Sequence, residues 1–487
     1  LRPEISFDLA ENLQELEAMF GQSPDLINHQ FKTKTGQGAA LVYLEGLVDK
    51  VTVNSHILHP LLHELQGSQT PVEVISAGQT KPLTRFTDLE TAIFQGKSVL
   101  LLQGAAEAVE IETQGWPQRS IQDPQAESTL RGAHQGFTET AGQNIALIRR
   151  YISNRRLTIK KLTVGERSQT MLYLVYLSDV ARPEILQELE TRIQAIKTDA
   201  ILATGELEQR IEDNPYTPFP QFQITERPDA AVSQILQGRI AVIVDGSPSA
   251  LIGPMVFVSF FQSLDDYSAR FLLASFIRIL RFTALLIAMF LPALYVATIS
   301  FHYEMLPLNL LLSIGESRSR VPFPPYLEAL MMEITLEMLR EAGVRLPAPI
   351  GQTVGIVGGI VIGEAAVQAG FVSNVMVIIV SLTAIASFII PNHEMAASVR
   401  LIRFPLMLLA ALFGMIGIVV GIMVIAGHLV ALESLGVPYG SPIAPTRFKD
   451  WKDTIVRFPL WKMNDRPRST HPLQQRRQRP SRKKGDE

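Results

Sequence analysis

The chain has 487 residues, of which 44 Lys or Arg and 47 Asp or Glu make up 19%, while 47% are apolar. With a mean hydropathy of +0.18 it is too apolar for an ordinary soluble enzyme, and its charge is uneven: between Phe282 and Leu432 only 14 of 151 positions are charged, which places that stretch in a bilayer. The absence of cysteine excludes a disulfide framework, a thiolate zinc site, an iron–sulfur cluster and a cysteine nucleophile.

The first twenty residues carry Glu4, Asp8, Glu11, Glu15 and Glu17 and lack the basic and apolar regions of a secretory signal. The N-terminus is therefore expected to stay in the cytoplasm, and Leu1 in place of methionine predicts a trimmed or alternative start. Residues 1 to about 245 alternate helical and strand patterns with a normal share of charge, predicting a soluble α/β region. Leu41-Val42-Tyr43-Leu44 recurs as Leu174-Val175-Tyr176-Leu177, each running into a helix (His56 to Leu65; Pro183 to Ile196). Asp88 to Gln95 followed by Gly96-Lys97-Ser98-Val99-Leu100 parallels Asp229 to Gln237 followed by Gly238-Arg239-Ile240-Ala241-Val242. Two related subdomains follow, 1–130 and 131–245, joined through the Gln-, Gly-, Pro- and Ser-rich segment Gln114 to Gly136.

Chemistry is sparse in this half. His56, His59 and His63 have a spacing that could place three imidazoles on one helical face as metal ligands, but the second copy aligns Glu184, Gln187 and Thr191 there, a solvated polar face. With no phosphate-binding glycine loop and no grouped nucleophile, base or metal ligands, neither an enzyme, a metal, a cofactor nor a nucleic-acid partner is expected.

A membrane domain is expected over 246–446. Leu251 to Phe261 is apolar, short and interrupted by Pro254, and reads as an interfacial or partly inserted segment. Four all-α spans follow at about 282–300, 348–370, 373–391 and 404–431, with Pro292 bending the first and Leu306 to Ile314 a short apolar piece between. Four spans leave both termini on one side, and a basic tail, 13 Lys or Arg against 5 Asp or Glu from Arg447 onward, places that side in the cytoplasm. Residues 447–487 read as a disordered tail or a holder of anionic lipid headgroups.

In the second span Gly351, Gly355, Gly359 and Gly363 recur every four residues, a stripe that lets another backbone approach, either within the chain or between subunits of a homo-oligomer. Ala410, Gly414, Gly417 and Gly421 form a weaker stripe, read as internal packing. Glu364 lies roughly opposite the first stripe with Gln368 one turn on. An ionised carboxylate at mid-bilayer costs about 2.5–3.5 kcal/mol on insertion scales, so it faces a water-filled pore or is kept neutral between helices. Pro325 to Ala342 reads as an interfacial amphipathic helix, with Leu327, Leu330, Met331, Ile334 and Met338 on its apolar face and Glu333, Glu337 and Arg340 away from it. In a ring of subunits Glu333 and Glu337 could line a cation-attracting vestibule.

The order of these segments resembles the A subunits of GerA-type nutrient germinant receptors of spore-forming bacteria. The most specific block is SRVPFPPYLEALMMEITLEMLREAGVRLPAPIGQTVGIVGGIVIGEAAVQAG, Ser319 to Gly370. DGSPSALIGP (from Asp245), FFQSLDDYSARF (from Phe260), LPALYVA (from Leu291), TAIASFIIPN (from Thr383), RLIRFPLMLLAA (from Arg400) and GVPYGSPIAP (from Gly436) flank it, and LVYLEGLVDK (from Leu41) and GFTETAGQNIALIRR (from Gly136) match in the first half. The chain departs from the pattern at Ala133-His134-Gln135, where Pro-Arg-Glu is expected. The resemblance implies a multi-pass subunit of the spore inner membrane, partnered by a permease-like B subunit and a lipoprotein C subunit. It further implies assembly into an ion-conducting ring, with the nutrient sensed chiefly through the B subunit. A coupled secondary transporter using Glu364 and a membrane scaffold stand as alternatives; the only repeat found lies in the soluble half, whereas transporters repeat their membrane halves.

Overall fold

The structure, a computed structural model, describes residues 3–21, 23–67, 69–115, 135–345, 359 and 361–479. Its first half holds two five-stranded antiparallel sheets. The first comprises β1 (Leu26–Lys32), β2 (Gly38–Leu44), β3 (Thr80–Leu83), β4 (Ser98–Leu102) and β5 (Ala108–Ile111), in the spatial order β1-β2-β4-β5-β3. The second comprises β6 (Leu157–Val164), β7 (Thr170–Leu177), β8 (Gln223–Thr225), β9 (Ile240–Val244) and β10 (Ala250–Gly253), in the order β6-β7-β9-β10-β8, the same topology strand for strand. The two matched strings of the sequence are β2 with β7 and β4 with β9. Helices α1 (Leu9–Phe20) and α2 (Phe86–Phe94) cover one face of the first sheet. Alternate residues of β4 then serve opposite cores, Val99 and Leu101 under the helices and Leu100 and Leu102 on the other face. In the second unit α3 (Ala141–Tyr151) and α6 (Pro228–Ile235) cover one face of the sheet, and α4 (Pro183–Gln194) and α5 (Thr204–Ile211) cover the other. Gly96 and Gly238, after α2 and α6, have φ of +77° and +95°, the left-handed geometry that ends a helix at glycine.

The copies differ where β2 and β7 lead on. Pro183–Gln194 is a regular α-helix, whereas Val53–Leu58 and Pro60–Glu64 are wide π-type turns. The segment expected at a membrane interface, Leu251 to Phe261, is instead β10 and a buried 3₁₀ turn, Phe257–Phe261. Its apolar run completes the second sheet, with Leu251 on one face and Ile252 on the other.

The two sheet units meet at α3. Arg149, 2% exposed, donates from Nε to Asp25 Oδ2 at 2.9 Å and from Nη2 to Asp25 Oδ1 at 3.1 Å and Ser23 Oγ at 2.9 Å. Ile145 and Ile148 of α3 join the second core and Ala146 joins the first.

The second half is helical: α7 (Phe271–Phe301), α8 (Leu308–Arg318), α9 (Pro325–Arg345), α10 (361–368), α11 (Asn374–Ile389) and α12 (His393–Ala431). Among the described residues α7 and α12 are long and apolar enough to cross a membrane, and α11 is a shorter apolar helix of 16 residues. The expected span 348–370 lies largely outside the described residues. The last predicted span is not one straight rod. At Gly414 (φ 60°, ψ −137°) the helical geometry of α12 breaks. A Cβ at Gly417 would collide with the Leu409 carbonyl, and one at Gly421 with Leu406, so the two arms lie back to back. Both feet reach the same loop: Ser398 Oγ donates to the Pro218 carbonyl, and His428 Nε2 lies 2.7 Å from Thr217 Oγ1. The tip at Gly414 meets Phe301 and His302, where α7 ends.

The described part of the basic tail, residues 447–479, straps the second sheet unit. Leu473 N donates to the Val180 carbonyl at 2.9 Å, Thr470 Oγ1 to the Gln237 carbonyl at 2.9 Å, and Arg466 Nε to the Leu236 carbonyl at 2.8 Å. It also closes a buried cluster at the start of α7, where Arg278, fully buried, binds Asp266 at 2.8 Å and Asp453 at 2.6 Å. A disordered tail over the whole of 447–487 is thus corrected for residues 447–479: Arg457 and Arg466 reach backbone carbonyls of the folded units, and Asp453 receives Arg278.

Candidate functional site

Helices in lipid turn polar groups inward, because hydrocarbon offers charges no partner. Helix α9 likewise turns its polar side toward its neighbouring helices. Glu328, Ala329, Met332 and Glu333 are buried, while Leu327, Ile334 and Met338 are 40%, 43% and 61% exposed. Its apolar stripe faces outward and its charged stripe faces the bundle.

The inward charges are paired. Glu333, 3% exposed, receives a short hydrogen bond from Arg403 Nη1 of α12, and Arg403 Nε also donates to the Ala288 carbonyl of α7 at 2.7 Å. Glu337 stands between Arg340 and Arg400, 3.2 Å from each. Glu328, fully buried, accepts from Arg318 at 2.7 Å and from the backbone N–H of Ser373 at 2.6 Å. These contacts also set the helix directions: along α9 the partners on α12 descend from 403 to 400, so the two are antiparallel. From Glu328 with Ser373 to Arg340 with Ser387, α9 and α11 run in parallel.

Glu333 and Glu337 therefore do not form an acidic vestibule within this chain. Each faces arginines supplied by α12 or its own helix, which compensates their charge where an open carboxylate ring would leave it bare. Arg400 and Arg403 are the charged partners of Glu337 and Glu333 that sequence reasoning passed over. Their three-residue spacing, set against the four-residue spacing of Glu333 and Glu337 in a stretch nearly free of charge, is the signal that could have found them.

Glu364 and Gln368 stand apart from that network. Both are exposed on α10, where Gln368 Nε2 donates to Glu364 Oε1 at 3.1 Å. They line a groove of about 1240 Å³ between α9, α10 and α11. Gly363 is buried with its Cα side toward Val377, and Gly359 is half-buried and also borders the groove; Gly351 and Gly355 lie outside the described residues. The site thus brings Glu364, Gln368, Gly359 and Gly363 to one groove and separates Glu333 and Glu337 from it.

In the sheets, His56 Nδ1 lies 3.1 Å from Ser76 Oγ, and the His59 and His63 rings are 5.0 Å apart. Among the described residues no group of three or more His, Asp or Glu is arranged to hold a metal. At the foot of the bundle Glu208 of α5 is buried near Glu394 and Glu212, and burial with these like charges pushes its carboxyl up to about 9.

Comparison with known proteins sets this geometry in a lineage. The family model for the Bacillus/Clostridium GerA spore germination protein matches residues 14–469. Spore germination protein KA of Bacillus subtilis is 43% identical, covering 96% of this chain and 87% of its own. Spore germination protein GerLA of Bacillus cereus is 41% identical over 95% and 96% of the two chains, and the Bacillus subtilis protein named uncharacterized membrane protein YfkQ is 42% identical over 95% and 91%. Among solved structures, the N-terminal domain of the A subunit of the Bacillus megaterium spore germinant receptor GerK3 aligns with 52% of this chain and 97% of its own, at 31% identity and a TM-score of 0.41.

Proposed function

The chain belongs to the GerA family and is a subunit of a spore germination receptor; from that premise we propose that it is a non-enzymatic, multi-pass membrane subunit that assembles with copies of itself to conduct ions when a nutrient is sensed. In this reading the membrane is the spore inner membrane and the sheets, the strap and both termini lie on its cytoplasmic side. A permease-like B subunit, which senses the nutrient, and a lipoprotein C subunit complete the receptor. The two-unit division at about residue 130 belongs to the same proposal, as does a helical membrane domain that begins only with α7, since residues 250–261 complete the second sheet and its buried turn.

The observation that carries it is Glu364. The carboxylates of the neighbouring α9, Glu328, Glu333, Glu337 and Glu341, have arginine partners. Glu364 has only the neutral Gln368 among the described residues and stands exposed beside the outward side chains of Val361 and Ile362. A lipid-facing carboxylate is unfavourable, so water or a neighbouring subunit must meet it. The arms of α12, 393–413 and 415–431, are about 31 and 25 Å long at 1.5 Å per residue, close to the roughly 30 Å of a hydrocarbon core.

Glu364→Gln in spores tests the proposal, with monovalent cation release on nutrient addition as the readout. Loss of release at normal protein abundance is expected; unchanged release removes Glu364 from the ion pathway and favours a scaffold. Replacing Gly355 and Gly359 by leucine is expected to abolish oligomers on a native gel.

A further inference from the structure

A second cavity, about 650 Å³, opens where the second sheet unit meets the feet of α9, α11 and α12. Its charged lining is mainly arginine: Arg227, Arg281, Arg340 and Arg400, with Asp265 and His393. Arg227 is paired with Asp229 at 2.8 Å and Arg281 with Asp266 at 2.8 Å. Arg340 and Arg400 must share the single carboxylate of Glu337, and the deeper Arg403 is taken by Glu333. Among the described residues, one arginine charge on the α9–α12 wall is thus left without a counterion. Arg340 Nε is buried with no hydrogen-bond partner among the described residues, although Nη2 reaches Ser387 Oγ at 3.1 Å. Asp265 belongs to the turn ahead of α7 and forms no ion pair with either arginine.

This cavity adjoins the groove of α9, α10 and α11. Arg340, Val344 and Phe388 line both. Beyond that shared rim the groove is apolar, bordered by Leu336 and Ile385, and Glu364 and Gln368 lie toward its other end, near Asn374. A cationic recess at the level where helices enter the sheet units, adjoining an apolar groove along the helices, matches an amphiphile with an anionic head and an acyl tail.

We propose that this junction binds the phosphate headgroup of an anionic phospholipid between Arg340 and Arg400, with an acyl chain laid into the groove past Val344 and Phe388. Lipid bound there bridges α9, α11 and α12 to the second sheet unit and holds the junction closed. The site does not depend on the ion-pathway reading, since its assay is made on purified protein without ion flux.

The test is native mass spectrometry of the full chain in a neutral detergent, titrated with phosphatidylglycerol or phosphatidylcholine, with inorganic phosphate as competitor. Phosphatidylglycerol adducts are expected to persist at activation energies that strip phosphatidylcholine. Arg340→Gln with Arg400→Gln should weaken retention roughly 30-fold, the loss of two headgroup-facing arginines. Glu337→Gln removes the competing carboxylate and should strengthen retention, a gain that a misfolded variant would not give. Equal retention of the two lipids, or unchanged retention in the double variant, overturns the proposal. Stabilisation by inorganic phosphate alone equal to that by the lipid overturns the lipid assignment and leaves a free-phosphate site.

Discussion

Replacing Arg149 by methionine tests how the two sheet units are joined. The variant keeps much of the aliphatic length but leaves Asp25, itself 7% exposed, buried without its cation and without the two N–H donors at 2.9 and 3.1 Å. Removing one partner of a buried pair costs about 3–5 kcal/mol, chiefly because the remaining charge is stranded. At about 1.4 kcal/mol per tenfold, amides that exchange only when the join opens should exchange at least roughly 150-fold faster. Hydrogen exchange of the full chain, followed in peptides covering β1 and α3, measures this directly. The double variant with Asp25→Leu should lose less than the sum of the two single losses, by about 1–3 kcal/mol of coupling. Protection in β1 and α3 unchanged in Arg149→Met would refute the argument and assign the join to the apolar contacts of Ala146 against the first core.

Two more outcomes follow from buried charge. Arg403→Met strands Glu333 inside the helical bundle and should lower the yield of folded protein in detergent, read by size-exclusion chromatography, while Glu333→Met added to it should restore most of the loss. For Glu208, the folded carboxyl titrates near 9 against 4.5 when unfolded, with Glu394 and Glu212 as its charged neighbours. The folded state therefore holds the extra proton: the contribution is complete below pH 4.5 and fades as pH rises toward 9, by up to about 1.4 kcal/mol per pH unit. Thermal unfolding between pH 5 and 9 checks this, and Glu208→Gln should flatten the slope; an unchanged slope would show that Glu208 is not the titrating group.

The sheets are legible in the sequence because a strand alternates its faces. The paired strings at Leu41 and Leu174, and the Gln-Gly helix ends at Gly96 and Gly238, report topology through local chemistry alone. Helices in the second half are legible as apolar lengths but not as faces. Amphipathicity tells which side of α9 is polar, yet only its neighbours tell that the polar side faces inward, against Arg403 and Arg400. Composition likewise gives no warning that Leu251 to Phe261 completes a sheet, since a doubly covered strand and a membrane segment are equally apolar. Of the site, Glu364 stands out as a lone charge, whereas its separation from Glu333 and Glu337 depends on long-range pairing that no spacing encodes.

The reversal at Gly414 decides where the end of the chain can be. A straight helix of the 39 residues in α12 would end about 58 Å from its first turn. Tyr439, eight residues after Ala431, nevertheless donates its hydroxyl to the Pro220 carbonyl at 2.7 Å, beside the Pro218 carbonyl that holds Ser398 at the other end of α12. Eight extended residues reach only about 28 Å, so no unbroken rod satisfies both anchors. The position of the tail against the second sheet unit therefore depends on a single backbone fold-back. Neutralising the tail's basic residues would loosen the strap's grip, whereas a side chain that straightened residue 414 would tear the strap from the sheets it binds.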